Sequence, residues 1–178
     1  IPLYIEEIAR AHLELGQKLD DVPATLAASL AARLDRLGPA REIAQAASVI
    51  GRAFDLSLLA TMVPHGPKAL QKALERLIEA RLVVARAGEA SGGYQFRHAL
   101  IRDAAYESLL RARRAALHLA LAEALIARAE AGEAIAPELS AEHLVAGGDA
   151  ARSVPRWTEA AHAALGQGAE AEASALCQ

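Results

Sequence analysis

Three features of the sequence predict a mainly α-helical fold interrupted by one short β-hairpin. Alanine is the commonest residue and aromatics make up only 3% of the chain, a composition that suits closely packed helices with small side chains. Apolar residues recur at three- and four-residue spacing through most of the 178 residues. The exception is Leu82–Val83–Val84–Ala85–Arg86 and Tyr94–Gln95–Phe96–Arg97, which read as two strands around a flexible turn, Gly88 to Gly93.

Taken in order, Pro2 opens a helical stretch to about Leu15, with Ile5, Ile8, His12 and Leu15 as its apolar stripe. Asp20–Asp21–Val22–Pro23 then reads as the entry to a second helix, carrying Leu26, Leu30, Leu34 and Leu37, which Gly38–Pro39 ends. Pro39 to Ile50 follows with Ile43, Ala46, Ala47 and Ile50 inward, and Gly51 stops it. Asp55 caps Leu56 to Val63, expected to bury Leu56, Leu59 and Val63. After the turn Pro64–His65–Gly66–Pro67, the next helix carries Leu70, Leu74, Leu77 and Ile78, the strongest amphipathic signal of the chain. Three short helices followed by two strands predict a winged helix-turn-helix at about Pro39 to His98, with a two-stranded wing.

The pivot is Tyr94 to His118. Alternation ends at Arg97, and from Ala99 the period becomes helical, with Leu100, Ile101, Ala104, Ala105 and Leu109 expected on one face. His98 sits at the switch, beside a helix N-terminus whose N–H groups and dipole favour an anion, and Arg97 adds positive charge. Beyond Leu110 come helical hairpins: Leu117, Leu121, Ala124 and Leu125 on one face, a break at Gly132, then Pro137 to Ala146 stopped by Gly147–Gly148. Asp149 caps a helix containing Trp157, Ala160, Ala161 and Leu165, in which Pro155 should start the helix or kink it. Gly166–Gln167–Gly168 separates a last segment, Ala169 to Gln178. Alanine-rich antiparallel helices joined by glycine turns look like tetratricopeptide-type repeats, with a plain helical bundle as the competing arrangement.

Bulk properties exclude several classes. A net charge of −3 supplies no global field toward nucleic acid or anionic membrane. Uncharged stretches such as Val22 to Ala32 fall well short of the ~18–20 apolar residues a membrane span needs. The single cysteine, Cys177, excludes an internal disulfide framework and fits a reducing cytosol. The six histidines show no paired metal spacing, so no metal site is expected. No G-x-x-x-x-G-K-[ST] or G-x-S-x-G occurs, so no phosphate loop or nucleophile elbow is present. A start at Ile1 and an end within an apparent helix suggest a piece of a longer protein.

The runs VPATLAASLAARLDRLG (Val22 to Gly38), REIAQAASVIGRAFDLSLL and FRHALIRDAAYESLLRARR resemble the large bacterial STAND signal-transduction ATPases, often fused to class III adenylate/guanylate cyclase domains or to LuxR-type outputs. The resemblance covers nearly the whole chain and is strongest at Phe96 to Arg114. It implies three parts: 1–38 as the helical lid end of an upstream nucleotide-binding domain, 39–114 as the winged helix with its following helix, and 115–178 as repeats. In such proteins the winged helix closes over nucleotide held by a P-loop domain, and the repeats act as sensor or scaffold. Pro2 matches the proline of the lid motif near the adenine. His98 matches the winged-helix histidine that reaches the β-phosphate of ADP, with Arg97 and Ala99 standing where that motif has methionine and aspartate.

Other features have plainer readings. Arg102, Arg111, Arg113 and Arg114, beside Asp103 and Glu107, suit a solvated helix face better than a phosphate site. Lys68, Lys72, Arg76 and Arg81 invite DNA recognition, but Glu75 and Glu79 interrupt the basic face and weigh against it. Trp157 and Tyr106 are expected as core anchors. The expectation is a cytoplasmic, noncatalytic transducing segment that needs no cofactor itself, in a protein that binds ATP or ADP with Mg. Its partners would be the upstream nucleotide-binding domain, an output domain such as a cyclase, and a protein on the repeats. The alternatives are a DNA-binding regulator and a helical interaction scaffold.

Overall fold

The computed structural model describes residues 26–86 and 93–166, without the side chains of 26–28 and 166. The expected helix from Pro2, the Asp20–Pro23 entry, the turn at 87–92 and the segment Ala169–Gln178 lie outside the described residues. The chain is mainly helical with one small antiparallel sheet, and it forms two compact units that divide between Leu109 and Leu110. None of the described helices is long and apolar enough to cross a membrane.

The first unit begins with α1 (Leu26–Asp35) and α2 (Pro39–Ile50). Leu30 and Leu34 of α1 are fully buried. Gly38, at φ 56, makes the turn between the helices, and Pro39 at the first helical position presets the backbone of α2. A short strand follows, β1 (Ala53–Asp55), and then α3 (Leu56–Met62). Asp55 caps α3 as its position predicts, its carboxylate accepting from the Leu58 N–H at 2.6 Å. The buried side chains of this segment are Leu58, Leu59, Met62 and Val63, whereas the expected Leu56 is only half-buried.

Helix α4 (Pro67–Glu79) lays Leu70, Leu74 and Leu77 into the core, and the sheet is completed by β2 (Val83–Arg86) and β3 (Gly93–Phe96). Ile78 is 38% exposed: the helix buries only a stripe, and Ile78 falls beside it. The expected two-stranded hairpin is therefore one part of a three-stranded sheet in the order β1-β3-β2. Phe54 pairs with Tyr94, and Val83 with Phe96, on the two edges of β3. Phe54 packs against the Tyr94 and Phe96 rings with centroids 5.9 and 5.6 Å away, which holds the extra strand in place. Helix α5 (Ala99–Glu107) packs on α1 and α2 through Ile101, Ala104 and Ala105. Leu100, expected on this inward face, is 49% exposed.

Polar pins cross this core. Arg33, 6% exposed, donates from Nη2 to the Ala80 carbonyl at 2.6 Å, tying α1 to the end of α4. Arg102 Nε donates to the Ser48 carbonyl at 2.9 Å and Gln45 Nε2 to Ser108 Oγ at 2.9 Å, tying α5 to α2.

The second unit has α6 (Arg111–Glu130), α7 (Pro137–Ala146) and α8 (Ala150–Gly166) among its described residues. Helix α7 packs against both α6 and α8, and the core holds Leu117, Leu121, Leu125, Leu144, Ala160 and Ala161. Approach is close at Gly147, where an added Cβ would lie 2.6 Å from Leu119. Arg152 bridges from α8 to Glu123 on α6 at 2.6 Å. That hydrogen bond holds the Glu123 carboxyl below the usual carboxylate range. Pro155 does not start α8, which runs through it from Ala150. Trp157 and Tyr106 are half-buried rather than core anchors.

Candidate functional site

The junction of β3 with α5 is where the sequence points, and its geometry follows from the local chain. The Arg97 amide donates to the Leu82 carbonyl at 3.0 Å, continuing the strand pairing for one residue. His98 then keeps an extended backbone, φ −137 and ψ 147, and becomes the N-cap of α5, its carbonyl accepting from the Ile101 N–H at 3.1 Å. The imidazole makes no capping hydrogen bond, and the ring is half-buried. Arg97 is exposed beside it, and the first turn of α5 carries no acidic side chain. The positive helix end is thus not offset by a carboxylate of that turn, so the position is electrostatically suited to an anion. His98 and Arg97 are adjacent here; Pro2 lies outside the described residues.

The four arginines read as one cluster divide between the units, Arg102 in the first and Arg111, Arg113 and Arg114 in the second. Arg102 is engaged structurally: it meets the Ser48 carbonyl, reaches Asp103 Oδ1 at 3.1 Å, and lies 5.0 Å over the Tyr106 ring. On α4, Lys68, Lys72, Glu75, Arg76 and Glu79 are all exposed, so the outer face of that helix carries both signs of charge.

One constellation was missed by reading spacing alone. His118 on α6, which is buried, and His143 on α7 meet with Nδ1 atoms 2.9 Å apart. They lie 25 residues apart in sequence, so only the antiparallel pairing of the two helices brings them together. One ring must donate and the other accept. Burial lowers the pKa of His143 below its ordinary value of 6.5, because the charged ring would lose water. Among the described residues, no group of three or more histidine, cysteine, aspartate or glutamate side chains could hold a metal ion.

An uncharacterized protein of Rhizobium meliloti (strain 1021) is 31% identical to the chain over 186 residues, covering 97% of the chain and 18% of that relative. The chain therefore spans less than a fifth of the length of the curated relative it matches. No family model matches the chain. No solved structure matches it.

Proposed function

We propose that this chain is a noncatalytic transducing segment of a multidomain cytoplasmic STAND-type ATPase. It would couple the nucleotide state of an upstream P-loop domain to a signalling output such as a nucleotide cyclase. The first unit would be the winged helix. In its support, the order α2–β1–α3–α4–β2–β3 and the sheet order β1-β3-β2 suit a helix-turn-helix followed by a wing, with β1 closing the sheet. The second unit would begin the repeats, and its Gly-stopped antiparallel helices suit that arrangement. The 31% identical relative, several times longer than this chain, suits a segment of a large protein.

The observation that carries the reading is His98, an imidazole at the strand-to-helix switch that caps no amide of its own helix. A phosphate of ADP presented by a neighbouring domain would find an N–H donor and a positive helix end in one place. In the full-length protein, His98→Ala is expected to speed ADP release about tenfold or more, the worth of one hydrogen bond to a charged group. An unchanged release rate in a normally folded mutant would overturn the phosphate role. The DNA-binding alternative draws on the exposed Lys68, Lys72 and Arg76 of α4. Tight duplex binding that weakens steeply with salt would favour it instead.

A further inference from the structure

We infer that the first unit holds a second anion site, remote in sequence from His98, which takes a phosphate monoester bearing neighbouring hydroxyl groups. The ends of α1 and α4 border an open surface depression of about 350 Å³ whose polar lining is Arg36, Arg76 and Glu79. A second recess of about 250 Å³ shares Arg36, Leu37 and Ala80 with it and adds Arg33. Three arginines thus line two adjoining depressions, and Glu79 is the one carboxylate among their described lining residues.

Both helices present C-terminal ends here, and carbonyls at such ends would repel an anion. Two of the arginines deal with that charge. Arg36 Nε donates to the Ala32 carbonyl at 3.2 Å, and Arg33 Nη2 to the Ala80 carbonyl. The two terminal nitrogens of Arg36 make no hydrogen bond or ion pair with any described residue and can face a ligand. Arg76, exposed on α4, makes no side-chain hydrogen bond or ion pair with any described residue. A guanidinium offers parallel N–H groups that match two phosphate oxygens, which a point-charge ammonium does not. Glu79 accepts hydrogen bonds only, so it suits the hydroxyls of the ester and disfavours further anionic groups. The volume suits a small molecule.

Calorimetric titration of the chain with ribose 5-phosphate, inorganic phosphate and ribose tests this. Ribose 5-phosphate is expected to bind most tightly, inorganic phosphate more weakly, and ribose not at all. Arg36→Ala and Arg76→Ala should each weaken ribose 5-phosphate about tenfold, as loss of a charge-assisted pair does. Arg76→Lys should recover only part of that loss, and Glu79→Gln should remove the advantage of the ester over phosphate. These side chains are exposed, so the variants are expected to fold, which circular dichroism checks. Unchanged affinity in both alanine variants would overturn the site, and phosphate binding as tightly as the ester would overturn the assignment to a hydroxyl-bearing ligand. The site includes neither His98 nor Arg97 and the titration needs no upstream domain, so this result and the ADP-release result stand or fall separately.

Discussion

Protonation of two facing rings is the sharpest consequence at the scale of single residues. With His118 and His143 Nδ1 atoms 2.9 Å apart, the neutral pair shares one proton across the contact, and charging both rings would set two N–H groups head to head. Because burial lowers the His143 pKa below 6.5, the unfolded chain takes up a proton before the folded one does. The contribution of neutral His143 to stability is therefore present above about pH 6.5 and declines as the pH falls from there through the folded-state pKa. Calorimetric unfolding between pH 8 and pH 5 should show that decline, and His143→Gln should flatten it. A profile equally steep in the mutant would place the effect elsewhere. Nothing in the spacing of the six histidines signals this pair, since the partners stand on different helices. The sequence likewise marks Leu56, Ile78 and Leu100 as apolar without telling which side of the stripe each falls on. Their exposure is decided by neighbours from other elements.

At the scale of elements, most boundaries were legible because their chemistry is local. Helices α2, α4 and α7 each begin on a proline, and α3 begins after an aspartate whose side chain caps it. Strand β1 was illegible: three residues are too few to alternate visibly, and it exists because β3 offers an edge and Phe54 finds aromatic partners. Three helix ends close with one pattern. Leu82 N–H reaches Leu77 O, Glu133 N–H reaches Arg128 O, and Asp149 N–H reaches Leu144 O, each a six-residue ring around a left-handed residue. That residue is Gly132 at φ 95 and Gly148 at φ 88, but Arg81 at φ 56 on α4. Glycine announces such a turn and arginine does not, so the first end could not be read. Left-handed backbone costs a residue with a Cβ about 1 kcal/mol or more. Arg81→Gly is accordingly expected to stabilise the chain by about 0.5–1 kcal/mol net of unfolded-state entropy, measured by urea denaturation. A destabilised mutant would show that the arginine side chain contributes more than its backbone strain costs.

At the scale of the molecule, the order of the described helices and of β2 and β3 followed from the sequence, while the sites did so only where one segment supplies them. His98 and Arg97 are neighbours in the chain and so were visible. The Arg36–Arg76 depression and the histidine pair join distant segments and were not. The second unit depends on α7, which packs against α6 and α8, and Leu144 at its centre is fully buried. Leu144→Ala should cost about 2–5 kcal/mol through the cavity it leaves. The chain's single tryptophan, half-buried on α8, then acquires a practical use. It is a native fluorophore placed in the second unit and nowhere else, so a red shift of its emission marks the moment when that unit admits solvent, without any label.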